Sequence, residues 1–229
     1  MLKAGTANYN IVKSSFNNID SYYTTLDFKT TSFFDKIYKM RDTLSSHITE
    51  NLNPLYHIRS INEGNYHFRE ELFFNSFSEE HSEVQVKREN RQGQKFDTIL
   101  VSNNFGYDIL SIIQFLRSLD YSQMKSSAGN ISTFFGKENV KITIRCEGQS
   151  VVEKSETLKY KTYKVALDFT DKVFNESKSA IEIWFSDDEN RVAVKIKAKL
   201  KIGMAEVYLV SNKNLKYPFT SEVRIPVRR

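Results

Sequence analysis

Proline, glycine and cysteine are all scarce in this chain, with 3 Pro, 8 Gly and 1 Cys in 229 residues. Glycines scattered one by one cannot build a loop that brings backbone against a phosphate, and neither a G-x-G-x-x-G nor a P-loop spacing occurs. The few prolines leave no Pro-rich linker and no low-complexity segment. A single cysteine, Cys146, excludes an internal disulfide. It follows Val140, Ile142 and Ile144 at alternate positions, which places it on the apolar face of a strand as an inert thiol. Long apolar runs are missing, so no transmembrane segment is expected. Nucleophile signatures are missing as well, with no G-x-S-x-G elbow and no S-x-x-K with its companion motifs. On this reading the chain is not an enzyme, and it calls for no cofactor.

What is present is aromatic and strand-forming. Aromatic residues reach 13%, with 17 Phe and 12 Tyr, a surplus that favours strands and a thick core. A length of 229 residues suits a single domain, 1–229. The net charge of +5 is too modest for a nucleic-acid surface, and no nucleic-acid partner is expected.

Turn signals recur at intervals of roughly ten residues, the spacing of an antiparallel meander. Strand patterns run through Ala7, Tyr9 and Ile11, then Tyr22 to Phe28, with Asn17, Asn18 and Asp20 turning the chain between them. A short helical turn is expected at Phe33, Phe34, Ile37 and Tyr38. Strands follow at Leu44 to Ile48, Leu55 to Ile61, Tyr66 to Phe74, Val84 to Val86 and Phe96 to Val101. In Asp108 to Leu119 the period changes: Ile109, Ile112, Ile113 and Leu116 fall at helical spacing, and Asp108 suits an N-cap. A polar loop, Ser122 to Gly129, comes next. Strands then resume at Val140 to Glu147, Ser150 to Lys154, Tyr160 to Phe169, Ala180 to Phe185, Arg191 to Ile202 and Ala205 to Val210.

Three constellations invite a chemical reading. His47 and His57 lie equally far from the centre of the Asn51–Pro54 turn, so a simple hairpin sets them side by side across the ladder. A zinc site needs three or four ligands, so histidines exposed on a sheet surface are the expectation, with no metal. The run Asp187-Asp188-Glu189 lacks the alternating spacing of a calcium loop and reads as a hairpin turn whose Asp and Asn side chains cap their own backbone. The third is a lysine ladder. Lys195, Lys197, Lys199 and Lys201 alternate with Val194, Ile196, Ala198, Leu200 and Ile202, and the neighbouring strands add Glu182, Trp184, Glu206 and Tyr208 to the charged face. Lysines interleaved with aromatics can hold a polyanion or a lipid head group; equally, they can solvate the face and pair with the glutamates. Trp184, Lys195, Lys197, Lys199, Lys201 and Tyr208 are the candidate ligand-binding residues.

Several of these segments together resemble a bacterial family of exported proteins described as domain of unknown function 3108. The carrying residues are Lys3-Ala4-Gly5-Thr6-Ala7, Asp42-Thr43-Leu44, Leu52-Asn53-Pro54-Leu55, Tyr107 to Ser111 with Leu116-Arg117, and above all Ile183-Trp184-Phe185-Ser186-Asp187-Asp188-Glu189-Asn190-Arg191. Ala193 departs from the family, which has proline there. The resemblance implies export to the periplasm or cell envelope, with a targeting segment upstream of Met1, and supplies no activity. The expected fold is mainly β, a single antiparallel, strongly curved sheet or open barrel, with one amphipathic helix (about 108–119) packed on it. The expected function is non-enzymatic binding of an apolar or lipid-like ligand or an envelope partner. The alternative is a polyanion- or head-group-binding module on the lysine and aromatic face.

Overall fold

The computed structural model describes residues 3–78, 81–124, 129–136, 138–170, 177–199 and 204–225. The chain is mainly β, and its strands divide between two compact units, Met1–Phe115 with Ser132–Val140, and Leu116–Ile131 with Lys141–Arg229. No helix of the described residues is long and apolar enough to cross a membrane.

The first unit is built on a seven-stranded sheet in strict sequence order, β1-β2-β3-β4-β5-β6-β7. Its strands are β1 (Gly5–Phe16), β2 (Ile19–Thr30), β3 (Arg41–Ile48), β4 (Pro54–Glu63), β5 (Tyr66–Ser78), β6 (His81–Asn90) and β7 (Lys95–Ser102). Every pairing is antiparallel, and short turns make all of them except β2–β3. Asn17 and Asn18 occupy left-handed backbone (φ 48° and 64°), the geometry of the tight hairpin turn whose twist matches its flanking strands. Gly64 (φ 55°) does the same between β4 and β5. At Gly93 the side chain of Asn90 accepts hydrogen bonds from the backbone N–H of Gln92 and Gln94, which locks the β6–β7 turn. Helix α1 (Ser32–Asp35) joins β2 to β3 and is held by Arg41, whose guanidinium meets the Asp35 carboxylate at 2.6 Å.

One face of this sheet is dry. Thr24, Ser46, His57, Leu72 and Val86 are direct cross-strand neighbours. Their exposures run from 0% to 2%. Leu72, Phe74, Val84 and Val86 form a core cluster with Phe134, and Phe96 and Leu100 close over it. Phe134 comes from β9 (Gly129–Phe135), which pairs in parallel with the two-residue β8 (Gly106–Tyr107) through Gly106↔Ser132 and Tyr107↔Thr133. Helix α2 (Ile109–Ser118) follows β8 directly, with Asp108 as its cap.

The second unit carries an antiparallel set in the order β14-β13-β12-β11-β10, made of β10 (Glu138–Ser155), β11 (Leu158–Thr170), β12 (Ser177–Ser186), β13 (Ala193–Lys199) and β14 (Met204–Tyr208). The short β15 (Glu222–Arg224) pairs with β11 at Leu158 to Tyr160, beyond the point where β12 ends. Along β10 and β11, Ile142, Ile144, Cys146, Val165 and Leu167 are buried, so the thiol lies where its alternation put it. A smaller cluster (Val152, Tyr160, Trp184 and Val194) is closed by Leu158, Tyr208, Leu209 and Phe219.

Several expectations need correction. The strands form two sheets rather than one, because β8, β9 and α2 interrupt the meander after β7. The segments 140–147 and 150–154 are one strand, bent at a bulge between Cys146 and Gly148 where Gly148 takes φ 86°. β8, β9 and β15 went unforeseen because each is short or polar in pattern. Leu200, Lys201 and Ile202, expected at the end of β13, lie outside the described residues.

Gly106 shows how tightly the first core is closed. A Cβ there would sit 2.2 Å from Cε2 of Phe134. Gly106→Ala must displace that ring from its cluster, so we expect a loss of about 1–3 kcal/mol, read as a lowered urea midpoint at unchanged slope.

Candidate functional site

The most chemically provocative group is buried in the first unit. Ser46 on β3, His57 on β4 and Asp108 at the head of α2 are 1%, 2% and 0% exposed. The Ser46 hydroxyl donates to Asp108 Oδ1 at 2.7 Å and lies 2.8 Å from His57 Nδ1. His57 Nδ1 and Asp108 Oδ1 are 3.3 Å apart. These are the residue types of a hydrolytic triad, but the geometry differs. In a working triad serine and acid sit on opposite ring nitrogens, so that the imidazole can take the serine proton. Here both approach Nδ1, and the serine hydrogen is committed to the carboxylate.

The same carboxylate serves as a cap. Asp108 Oδ1 accepts from the N–H of Leu110 at 2.8 Å and of Ser111 at 3.1 Å, while Ser111 Oγ accepts from the Asp108 N–H at 2.9 Å. That is a reciprocal capping arrangement at the start of α2. Burial pushes the His57 imidazole below its ordinary pKa, because desolvation outweighs the nearby Asp108 charge.

The histidine pair therefore does not form as expected. A register shift between His47 and Ile48 sets Ser46 opposite His57, and His47 opposite Tyr56. One residue of slip sends the two rings to opposite faces. His57 is buried, not exposed as the surface reading had it, and His47 is half-buried among aromatic rings.

Glu70 is a second buried charge, 1% exposed, gripped by Arg59 Nε at 2.6 Å with Arg88 at 3.7 Å. Both guanidiniums also lie over the Phe68 ring, at 5.0 and 3.7 Å from its centroid. A buried carboxylate held this way is structural.

In the second unit the acidic turn does more than cap itself. Asp188 Oδ1 accepts from the Asn190 N–H and the Ser186 hydroxyl, and its Oδ2 accepts from the Ser221 N–H. Asn190 donates to the carbonyls of Tyr217 and Pro218 and accepts from the Tyr217 N–H. The turn thus fastens the C-terminal segment that carries β15. Arg191, at φ 48°, completes it by laying its guanidinium over Tyr121 and Tyr163.

Lys195 and Lys197 of the lysine face are brought together with Trp184 and Tyr208, and both meet neighbouring glutamates. Lys195 stands opposite Trp184 on one side and Tyr208 on the other, 5.1 and 5.0 Å from their ring centroids, and meets Glu206 at 3.3 Å. Lys197 faces Glu182 and Glu206 across the ladder. Glu182 is itself held at 2.5 Å by Lys164, which is also 5.1 Å from the Trp184 ring. Trp184 is only 9% exposed beneath this cover. Lys199 pairs with Met204 across β14. Lys201 lies outside the described residues.

The feature that sequence reading missed is a row on the more exposed face of the first sheet. Val12, Tyr23, His47, Tyr56, Phe73, Gln85 and Ile99 are successive cross-strand partners, one from each strand from β1 to β7. At the strand spacing the row runs roughly 29 Å. Tyr23 and His47 are 4.8 Å apart by ring centroids, and Tyr56 and Phe73 are 4.7 Å apart. Phe16 bridges the middle, 5.1 Å from both His47 and Tyr56. The ends are open, with Val12 46% and Ile99 56% exposed. Strand alternation alone could not reveal the row, because it appears only once the register is known.

Two surface depressions stand out, each with one apolar side chain, Ile225 in the first and Phe68 in the second, among charged and polar ones. One is lined by Glu153, Lys154, Ser155, Glu156, Lys159 and Ile225; the other includes Ser60, Asn62, His67, Arg69 and Arg91.

Among known proteins, the model of a family described as "Protein of unknown function (DUF3108)" matches residues 1–210. That span ends just after β14 and leaves the fastened C-terminal segment beyond it. Among solved structures, the chain is similar to the "Beta-barrel-like Protein of Domain of Unknown Function DUF1849" from Brucella abortus, at TM-score 0.55 and 12% identity, over 89% of this chain and 86% of that one. That likeness concerns the fold. No curated protein matches the chain.

The His57 environment predicts a pH dependence. A histidine with a depressed folded pKa stabilises the fold fully above its unfolded value near 6.5, and that contribution is lost as the pH falls below it, because the unfolded chain then takes up the proton. The urea midpoint should therefore drop between pH 7.5 and 5.5. In His57→Gln that drop should be smaller; an identical drop in the variant would contradict the assignment.

Proposed function

The chain belongs to the DUF3108 family, and on that premise we propose that it is a non-enzymatic, exported protein of the bacterial cell envelope that works by binding. The aromatic and aliphatic row across the first sheet carries this reading. Exposed faces of antiparallel sheets ordinarily bear polar side chains. An aromatic and aliphatic stretch on such a face, here interrupted by Gln85, is the usual mark of an interaction surface. The reactive residue types support the same conclusion, since Ser46, His57, Asp108 and Glu70 are buried and engaged in fastening helix and strands.

An apolar surface on an envelope partner fits the row best. Each of the two depressions offers a small apolar ligand a single apolar side chain, Ile225 or Phe68. A role for Trp184, Lys195, Lys197, Lys199, Lys201 and Tyr208 in holding a polyanion or head group draws less support, because Glu206 and Glu182 already answer the ammonium groups of Lys195 and Lys197.

A photoreactive residue placed at Phe73 in living cells tests this, with Arg145 on the other unit as control position. The expected outcome is a discrete cross-linked species from position 73, in the envelope fraction, absent from the control. No adduct at position 73, or a chain found only in the cytosol, would overturn the proposal. Native mass spectrometry of the purified protein separates the two kinds of occupant: a retained lipid-sized mass would assign the row to a ligand rather than to a partner protein.

A further inference from the structure

β1 is an edge strand without the defences that edge strands normally carry. It forms one end of the first sheet and is 12 residues long. It pairs with β2 in one unbroken register from Gly5↔Thr30 to Phe16↔Ile19, with no bulge to twist the edge away. Proteins blunt such edges with short strands, proline, bulges or several charges. Gly5 to Phe16 contains no proline, no acidic residue and a single charge, Lys13, in a chain whose charged fraction is 27%. In an antiparallel ladder every second N–H and C=O of an edge strand points away from its partner, so β1 presents a row of such groups.

The side chains make a particular occupant the natural one. The apolar residues of β1 lie at its middle, with Tyr9 38% and Val12 46% exposed and Ile11 between them. An antiparallel pairing of two identical strands about a two-fold axis brings midpoint to midpoint. An axis on Asn10 sets Tyr9 against Ile11 of the copy, and an axis on Ile11 or Val12 sets that residue against itself. Lys13 faces a neutral residue (Ala7, Tyr9 or Ile11) in all three registers. The absence of acidic residues means nothing on β1 calls for a basic partner. Isologous two-fold pairing is also the commonest oligomer symmetry.

We propose that β1 is a self-association surface, pairing with β1 of a second copy about a two-fold axis near residues 10 to 12. The two sheets then join edge to edge, in the manner of strand addition. A single strand pair is a small interface, so the dimer is weak and concentration-dependent.

Sedimentation velocity on the whole chain tests this, with N10K and V12K as the disrupting variants. Asn10 is exposed, and a lysine there faces its own copy for an axis on residue 10 and lies diagonal to it for an axis on residue 11. V12K does the same for axes on residues 12 and 11. The wild type should sediment as a dimer at roughly 100 μM and as a monomer near 1 μM, the behaviour of a micromolar complex. N10K, V12K or both should raise the dissociation constant at least about tenfold, with an unchanged urea midpoint. Single cysteines at positions 8 to 14 give the register. The only native thiol, Cys146, is buried and stays silent. Disulfide dimers should peak at one of positions 10 to 12, where paired Cα atoms fall within bridging distance, and fade towards 8 and 14. A chain monomeric at every concentration, or cross-linking that ignores position along β1, would overturn the proposal.

Discussion

One carboxylate, that of Asp108, fixes where the helix meets the sheet. It is fully buried and accepts from two backbone N–H groups of α2 and from the Ser46 hydroxyl on β3, with His57 of β4 packed against it. A buried charge is stable only when hydrogen-bonded, and here its partners belong to three different elements. The helix cannot shift along the sheet without stranding those groups in a dry interior. Order in β3 and β4 near this point, and in the turn from β8 into α2, follows from that constraint.

The fold was legible wherever local chemistry decided it. The Asn17-Asn18 turn, the Gly64 and Gly93 turns and the Asp108 cap are each dictated by residue type, and the strands between them fall where alternation places them. Cys146 was found on its apolar face for the same reason. Information failed where geometry is non-local. The shift beside His47 depends on how Leu52, at φ 65°, closes the β3–β4 loop, and it reversed the relation of the two histidines. The two-residue β8 is too short to show a period, and its existence depends on Gly106 fitting under Phe134.

The candidate site was less legible than the fold. The lysine ladder could be read from spacing, but the pairing of Lys195 and Lys197 with Glu206 and Glu182 depends on strand order. The aromatic row is invisible in any single strand, since each contributes one residue. The residues that carry the family resemblance proved informative in another way. Asp188 and Asn190 hold the segment around Tyr217 to Ser221, with Ser186 bracing Asp188, so the most distinctive motif in the chain is a fastener. Ser46, His57 and Asp108 likewise hold elements together, and the residues most open to water on β1 and β7 include Val12 and Ile99 of the row.

The central claim is that the Ser46–His57–Asp108 group is a structural clamp between helix and sheet. A double-mutant cycle in urea unfolding tests it most directly, using Ser46→Ala, Asp108→Asn and the pair. If the clamp holds helix to sheet, the two changes are strongly non-additive, with a coupling energy of about 1–3 kcal/mol. Effects that add within a few tenths of a kcal/mol would contradict the account.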